Sequence, residues 1–446
     1  MNHKRITILG AGESGVGAAL LAKQNGYDVF VSDSNNIKPN YKKVLLSNEI
    51  SWEENKHSEN KILEAVEVIK SPGIANNIAI INKIKQQKIN IISEIEFASR
   101  YTKAKKICIT GSNGKTTTSL LTYHILKSAG LNVGLAGNVG KSFAWQVNDN
   151  NFDYYVLEIS SFQLDDMYDF KAEIAILLNI TPDHLDRYDH DFNNYAQSKF
   201  RITRNQTKND FFIYNYDDKT IANQLDKNNI SSKKYPFTLN KQIMEGAWQN
   251  ENELIFAVNK DELEMPLGSL SLKGKHNIYN SMAAGIASRI LDIRKDRIKD
   301  SLSNFVNIKH RLEYVATIRG IEFINDSKAT NVNSVWYAIE CMQKPIVWIV
   351  GGQDKGNEYS ELKDIVKQKV KAIVCMGKDN SKILNAFSNV ISTIIETNSA
   401  HDAVHEAYKL SKNGDVVLLS PACASFDLFE NYEDRGQQFK NFVNEL

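Results

Sequence analysis

Apolar residues gather along this chain in short unbroken runs that end at glycine or polar turns, with helical periodicity between them. Runs of that kind read as strands buried on both faces of a parallel sheet. The first hundred residues hold three: Ile6-Thr-Ile-Leu9, Tyr27-Asp-Val-Phe-Val31 and Val66-Glu-Val-Ile-Lys70. Next come Ile107-Cys-Ile109, Leu131-Asn-Val133, Tyr154-Tyr-Val-Leu-Glu-Ile159 and Ile174-Ala-Ile-Leu-Leu178. A helical pattern over 115–130 follows the first of these. Alternating β-type segments then occur at Phe211-Phe-Ile-Tyr214 and Leu254-Ile-Phe-Ala-Val258, and a helix of small residues at Asn280-Ser-Met-Ala-Ala-Gly-Ile-Ala287. A last set comprises Ile346-Val-Trp-Ile-Val350, Ala372-Ile-Val-Cys375 and Val416-Val-Leu-Leu419. Strands alternating with helices predict an α/β protein in three units, over 1–102, 103–307 and 308–446.

The length of 446 residues agrees with three units at ~150 residues per domain. Charge changes the picture only by exclusion. With 54 basic and 53 acidic residues, the chain has no overall charge excess to mark a nucleic-acid or membrane-surface binder. No apolar stretch approaches the ~20 residues that span a bilayer. Met1-Asn-His-Lys-Arg5 leads straight into a strand pattern, so a cytoplasmic location is expected. Cys108, Cys341, Cys375 and Cys423 are scattered without a C-x-x-C pair and read as buried, reduced thiols.

Candidate chemistry concentrates where strands end. In Lys106-Ile-Cys-Ile-Thr-Gly-Ser-Asn-Gly-Lys-Thr-Thr117 a strand, a glycine turn and a helix start follow in order. Free backbone N–H groups and the helix dipole then converge on one small volume, Lys115 adds a point charge for phosphates, and a hydroxyl can meet Mg²⁺. The glycine spacing is tighter than in the general P-loop. Gly10-Ala-Gly-Glu-Ser-Gly15, with Asp33 at the end of the next strand, fits a pyrophosphate turn and a ribose-binding acid. By itself it suits NAD, FAD or another nucleotide diphosphate. Ser71-Pro-Gly73 is a turn at a strand's carboxyl end, where open α/β sheets bind ligands. Glu158 closes an apolar strand, where a carboxylate needs a partner or a metal, and His184 follows a neighbouring strand.

Several of these stretches, taken together, resemble the Mur ligase family: Gly111-Ser-Asn-Gly-Lys-Thr-Thr117, Leu157-Glu-Ile-Ser-Ser-Phe-Gln-Leu164 and Asn179-Ile-Thr-Pro-Asp-His-Leu-Asp-Arg-Tyr188. So do Gly274-Lys-His-Asn277, His310-Arg-Leu-Glu313 and Asn325-Asp-Ser-Lys-Ala-Thr-Asn331. Gly10 to Gly15 and Ser420-Pro-Ala-Cys-Ala-Ser-Phe-Asp427 are similar to the D-glutamate-adding branch. The resemblance implies a Rossmann-like N-terminal domain for a UDP-linked substrate, a P-loop ATPase-type central domain and a Rossmann-like C-terminal domain for the incoming amino acid. It implies ATP-dependent amide formation through an acyl phosphate, in peptidoglycan precursor synthesis, from UDP-N-acetylmuramoyl-L-alanine and D-glutamate. ATP and two Mg²⁺ ions are the implied cofactors, and a monomer without nucleic-acid or membrane partners is expected.

The same resemblance assigns residues. ATP contacts fall on Gly111, Ser112, Asn113, Gly114, Lys115, Thr116, Thr117, Asn277, Arg311, Asp326 and Lys328. The UDP substrate falls on Gly12, Ser14, Gly15, Asp33, Ser71, Pro72, Gly73, Asn138, Ser160 and Gln163. D-glutamate falls on His184, Thr330, Lys355, Ser425, Phe426 and Tyr432. Lys115, Glu158, His184 and Lys199 are the implied catalytic set, and Thr116, Glu158, His184 and a CO₂-carbamylated Lys199 the implied metal ligands. After Asp33 the chain has Ser34-Asn35-Asn36 where family members often carry Thr and Arg, so the uracil contacts depart from the pattern. A sister ligase taking another amino acid is the nearest alternative. From other classes, Gly10 to Asp33 alone would suit an NAD-dependent oxidoreductase, and an idle nucleotide-binding regulator is a third reading.

Overall fold

The computed structural model describes residues 4–183, 185–306 and 309–446, so His184 lies outside the described residues. By contact density the chain forms two compact units: everything up to Ser271 with Tyr279–Phe305, and Leu272–Ile278 with Val306–Leu446.

The first unit holds two sheets. One contains β1 (Arg5–Leu9), β2 (Asp28–Ser32), β3 (Ser51–Glu53), β4 (Glu67–Lys70) and β5 (Asn90–Ile92), all parallel in the order 3-2-1-4-5. The strand order reverses between β1 and β4, so the crevice beyond their carboxyl ends opens at Gly10 and Ser71. The other sheet contains β6 (Lys105–Thr110), β7 (Val133–Gly137), β8 (Tyr154–Glu158), β9 (Ile174–Leu177), β10 (Phe211–Asn215) and β11 (Lys233–Thr238). It is extended by β12 (Gly246–Asn250), β13 (Glu253–Val258) and β14 (Asp261–Pro266), in the order 14-13-12-11-10-9-6-8-7. β6 lies centrally between β8 and β9, parallel to both, so all three discharge their carboxyl ends at one edge. Only β12, β13 and β14 pair antiparallel to one another. The strands here are apolar on both faces, with Ile107, Cys108, Ile109, Val156, Leu157, Ala175 and Ile176 all inaccessible to solvent.

The second unit holds β15 (Glu313–Ile318), β16 (Ile321–Asn325), β17 (Ile346–Val350), β18 (Val370–Met376), β19 (Ile394–Thr397) and β20 (Val416–Leu419). Their order is 15-16-20-17-18-19, parallel except for the β15–β16 edge pair. β16, β17 and β20 end together, at Asp326, Gly351 and Ser420. All of this matches the α/β class expected from the apolar runs.

One strand differs from the sequence reading. Of the run at 131–133 only Val133 is in a strand, and β7 occupies Val133–Gly137. Gly134 lies in its middle because a side chain there would collide with the Tyr155 and Phe152 rings. The glycine that lowers strand propensity is what lets the neighbouring strand's aromatics pack. Cys108, Cys375 and Cys423 are buried and Cys341 half-buried, all as free thiols. Burial pushes Cys341 and Cys375 up to about 12 and Cys423 to about 11. Among the described residues no helix is long and apolar enough to cross a membrane.

Candidate active site

The helix Lys115–Ser128 starts from Gly114, whose φ of +82° is a left-handed conformation that glycine adopts without strain. A side chain at Gly114 would also collide with the Asn280 carboxamide. The loop before it is fastened to the segment after β9. Ser112 N–H donates to Asn179 O at 2.9 Å, Asn113 N–H to Asn179 Oδ1 at 2.8 Å, and Ser112 Oγ to Thr181 O at 2.8 Å. Two lysines converge on the same loop. Lys115 Nζ donates to Gly111 O at 2.7 Å and to Ser112 O at 2.9 Å, and Lys199 Nζ donates to Gly111 O at 2.9 Å.

Lys199 sits on the helix Phe192–Phe200 and is 1 % exposed. Burial, and then the nearby Lys115 charge, hold its ammonium far below the ordinary lysine range. Its Nζ lies 4.6 Å from the centre of the Tyr195 ring. Glu158 ends β8 at 5 % exposure, and its Oε2 is buried with no hydrogen-bond partner. Its backbone carbonyl accepts from Asn138 N–H at 3.0 Å, which brings the turn after β7 to the same edge. Ser160 and Gln163 form a capping box at the start of the helix Ser161–Asp165, so each orders the other.

Lys115, Lys199, Asn138 and Ser160, though not Glu158 or Gln163, line one cavity of about 300 Å³. It is lined by Pro72, Gly73, Lys115, Asn138, Ser160 and Lys199 together with Phe162, Asp183, Arg187 and Tyr195. Thus the turn after β4 and the phosphate loop after β6 open into the same space. Asp183, Arg187 and Tyr195 were not singled out from the sequence. The first two stood in the Asn179–Tyr188 stretch as the only charged neighbours of His184 besides Asp186, which was the available signal.

At the carboxyl end of β1, Gly12 precedes the helix Glu13–Gln24, and a side chain built on it would meet open space. Gly15 is the opposite case: a side chain would strike the Gly10 carbonyl, so this glycine lets helix and strand approach. Ser14, half-buried, lies in the first turn between them. Asp33 accepts from Ala11 N–H at 2.7 Å and from Asn35 N–H at 2.8 Å. It therefore shapes the glycine turn, a role the sequence spacing did not foretell, while keeping lone pairs for a ligand.

A second group forms within the other unit. Asp326, after β16, accepts from Ser420 Oγ at 2.8 Å and from Leu312 N–H at 3.2 Å. Burial pushes it up to about 7, against the pull of Arg311. Lys328 Nζ donates to Tyr432 Oη at 3.2 Å. Asn277 Nδ2 donates to Lys273 O at 2.8 Å. Ser425 is buried, Thr330 half-buried, Lys355 exposed, and the Phe426 ring is 67 % exposed on a loop. That loop is tied by Arg435, fully buried, which donates to Ser327 Oγ at 2.9 Å and to Cys423 O at 3.2 Å. Arg435 lies in a helix with no visible motif, and nothing in the local sequence points to it.

The family description "Mur ligase MurD-like, N-terminal domain" matches 4–93, "Mur ligase middle domain" 109–288, and "Mur ligase, glutamate ligase domain" 310–423. A Christiangramia forsetii protein named UDP-N-acetylmuramoylalanine–D-glutamate ligase is 54 % identical over 443 residues, covering 99 % of this chain and all of that one. The chain belongs to the Mur ligase family. The Bacteroides fragilis protein of the same name is 55 % identical over 444 residues, with 99 % and 100 % covered. Among solved structures, the UDP-N-acetylmuramate-alanine ligase of Thermotoga maritima superposes with a TM-score of 0.61 at 18 % identity, covering 99 % of both chains. The MurF ligase of Thermotoga maritima in complex with ADP gives 0.60 at 16 %, covering 86 % of this chain and 91 % of that one. At such identities these two speak for the fold alone.

Proposed function

We propose that this Mur ligase joins D-glutamate to UDP-N-acetylmuramoyl-L-alanine with ATP, in the cytoplasm, for peptidoglycan synthesis. The observation that carries the reading is the single cavity into which both the phosphate loop with Lys115 and the substrate turns at Pro72, Asn138 and Ser160 open. A carboxylate and an amine do not condense at neutral pH, so the L-alanyl carboxylate must first take the γ-phosphoryl group. The amine nitrogen of D-glutamate then attacks the acyl carbon and inorganic phosphate departs. Three anions have to meet, and the chain answers with charge and position.

Lys115 faces the β- and γ-phosphates beside the helix N-terminus. Asn277, Arg311, Asp326 and Lys328 hold the rest of ATP. Gly12, Ser14, Gly15, Asp33 and the Ser71-Pro72-Gly73 turn hold the UDP diphosphate, and Asn138, Ser160 and Gln163 the sugar–alanyl end. The division at 102/103 and 307/308 into substrate, ATP and amino-acid domains goes with this assignment.

Magnesium fits the donors present. Thr116 brings a buried hydroxyl and Glu158 a buried carboxylate oxygen with no partner, both hard oxygen ligands. Among the described residues no three His, Cys, Asp or Glu side chains gather to hold a metal, so Thr116 and Glu158 would hold the ion together with the nucleotide. When bound, the ion neutralises the transferring phosphoryl group. The burial of Lys199 favours its neutral amine, the form that would add to CO₂: nitrogen would bond the carbon as one C=O π bond opens and a proton leaves to solvent, and the resulting carboxylate would serve with His184 at a second ion.

Phosphate release decides the reading. It is expected only when ATP, UDP-N-acetylmuramoyl-L-alanine and D-glutamate are all present, and release with L-alanine or a diamino acid in place of D-glutamate would overturn it. Within this reading, Lys355, exposed on the loop after β17, and Thr330, Ser425, Phe426 and Tyr432 receive D-glutamate. Charge-assisted bonds to its side-chain carboxylate make Lys355→Ala raise the KM for D-glutamate by about tenfold, with the KM for ATP unchanged. Steady-state kinetics with each substrate varied in turn checks this.

A further inference from the structure

The turn Ser71-Pro-Gly-Ile74 is held by cations from two directions. Lys70, the last residue of β4, is 1 % exposed. Its ammonium pairs with Asp166 at 2.9 Å and donates to Ile74 O at 3.1 Å. The same carbonyl accepts from Arg187 Nη2 at 3.2 Å, and that nitrogen also reaches Pro72 O at 3.4 Å. The Arg187 guanidinium in turn lies 4.5 Å from the centre of the Phe162 ring.

Phe162 and Asp166 belong to the two ends of one short helix, Ser161–Asp165, with Asp166 as its C-cap. That helix begins at Ser160 and carries Gln163. The turn of the first sheet is therefore fastened to both ends of the helix that presents these residues from the second sheet. The Asp166 carbonyl adds a further tie, accepting from Ser93 N–H at 2.8 Å. Pro72, Gly73, Phe162 and Arg187 line the cavity; Lys70 and Asp166 do not, and Asp166 lines a separate pocket with Asp165 and Tyr168.

A buried ion pair is a poor device for stability alone, since desolvation offsets its attraction and apolar residues of similar size serve as well. What it fixes is geometry. We infer that Lys70 and Asp166 are a positioning pair for the UDP-linked substrate, setting the span between the turn that takes its diphosphate and the helix that takes its acyl end. This rests on the function proposed above. The pair touches no substrate and acts through the turn and the helix cap.

The test uses the full-length protein with Lys70→Met/Asp166→Leu, which removes both charges and leaves neither uncompensated. The expected result is a rise of about tenfold in the KM for UDP-N-acetylmuramoyl-L-alanine. The KM values for ATP and D-glutamate stay within about twofold, and the melting temperature is close to native. Lys70→Arg, which keeps the charge, recovers most of the loss. A folded double variant whose three KM values are native, or rise together, overturns the inference. Asp166→Asn keeps an acceptor for Lys70 and is expected to give about a threefold rise in the same KM alone; an unchanged value there overturns the inference should the double variant not fold. The native protein separates the two levels. If it releases no phosphate with both substrates, the function and the pair fall together, whereas native turnover beside an unaltered variant removes the pair only.

Discussion

Lys199→Ala lowers kcat by about 10³-fold or more, and short carboxylic acids such as acetate restore part of it. A loss of that size corresponds to about 4 kcal/mol of transition-state stabilisation. Burial is the cause. Lys199 is enclosed beside Lys115, donating to the Gly111 carbonyl with an aromatic face nearby, and the Asp183 and Asp165 charges offset its burial only in part. Burial and the neighbouring Lys115 charge disfavour an ammonium there and push Lys199 toward its neutral form, the one open to CO₂. Alanine leaves a space where an added carboxylate can stand in for the carbamate. Near-normal activity of the variant without additives would end the carbamate assignment. The same burial has a stability consequence. The unfolded chain binds a proton at Lys199 that the folded chain does not, so this residue makes stability rise with pH from the depressed value up to about 10.5. Lys199→Met is expected to flatten that slope, as read by denaturant melts between pH 6 and 10.

Lys115→Ala is expected to cost about 10² to 10³ in kcat, the range for removing one preorganised charge contact from a transition state. Lys115 is the cation tethered to Gly111 O and Ser112 O, in the first turn of its helix, and it lines the cavity. Lys115→Arg does not rescue it. A planar guanidinium presents a wide fork where the space admits a compact point charge, and Arg187 already occupies one wall. Single-turnover phosphate release at saturating ATP measures the effect. A variant that lost only ATP affinity, with the chemical step intact, would remove the phosphoryl role.

The apolar runs made most parallel strands legible, because a strand covered on both faces needs continuous hydrophobicity. β3 and β5 are three residues each and were invisible for that reason. β7 hid behind Gly134, whose purpose is a neighbour's ring. At the site, residues in local motifs were legible: the glycine turn before Lys115, the carboxylate ending β8, the Ser160 capping box. Those that act across sequence distance were not. Glu96 is 1 % exposed and accepts from the backbone N–H of Tyr168, Asp169 and Phe170, yet in the sequence it is one acid in a helical stretch. Arg435 and Lys70 are the same kind of residue, charged groups whose partners only the fold supplies.

The guarded state of the four thiols opens an experimental route. Burial pushes Cys341 and Cys375 up to about 12, Cys423 to about 11 and Cys108 well above the usual thiol range, so little thiolate is present at neutral pH and maleimide and disulfide reagents meet a low background. A single cysteine introduced at Met244, 94 % exposed in the first unit, or at Tyr314, 59 % exposed in the second, would then carry a dye or spin label without prior removal of native residues. Labelled pairs of that kind could follow each step of nucleotide and amino-acid loading in an otherwise unaltered chain.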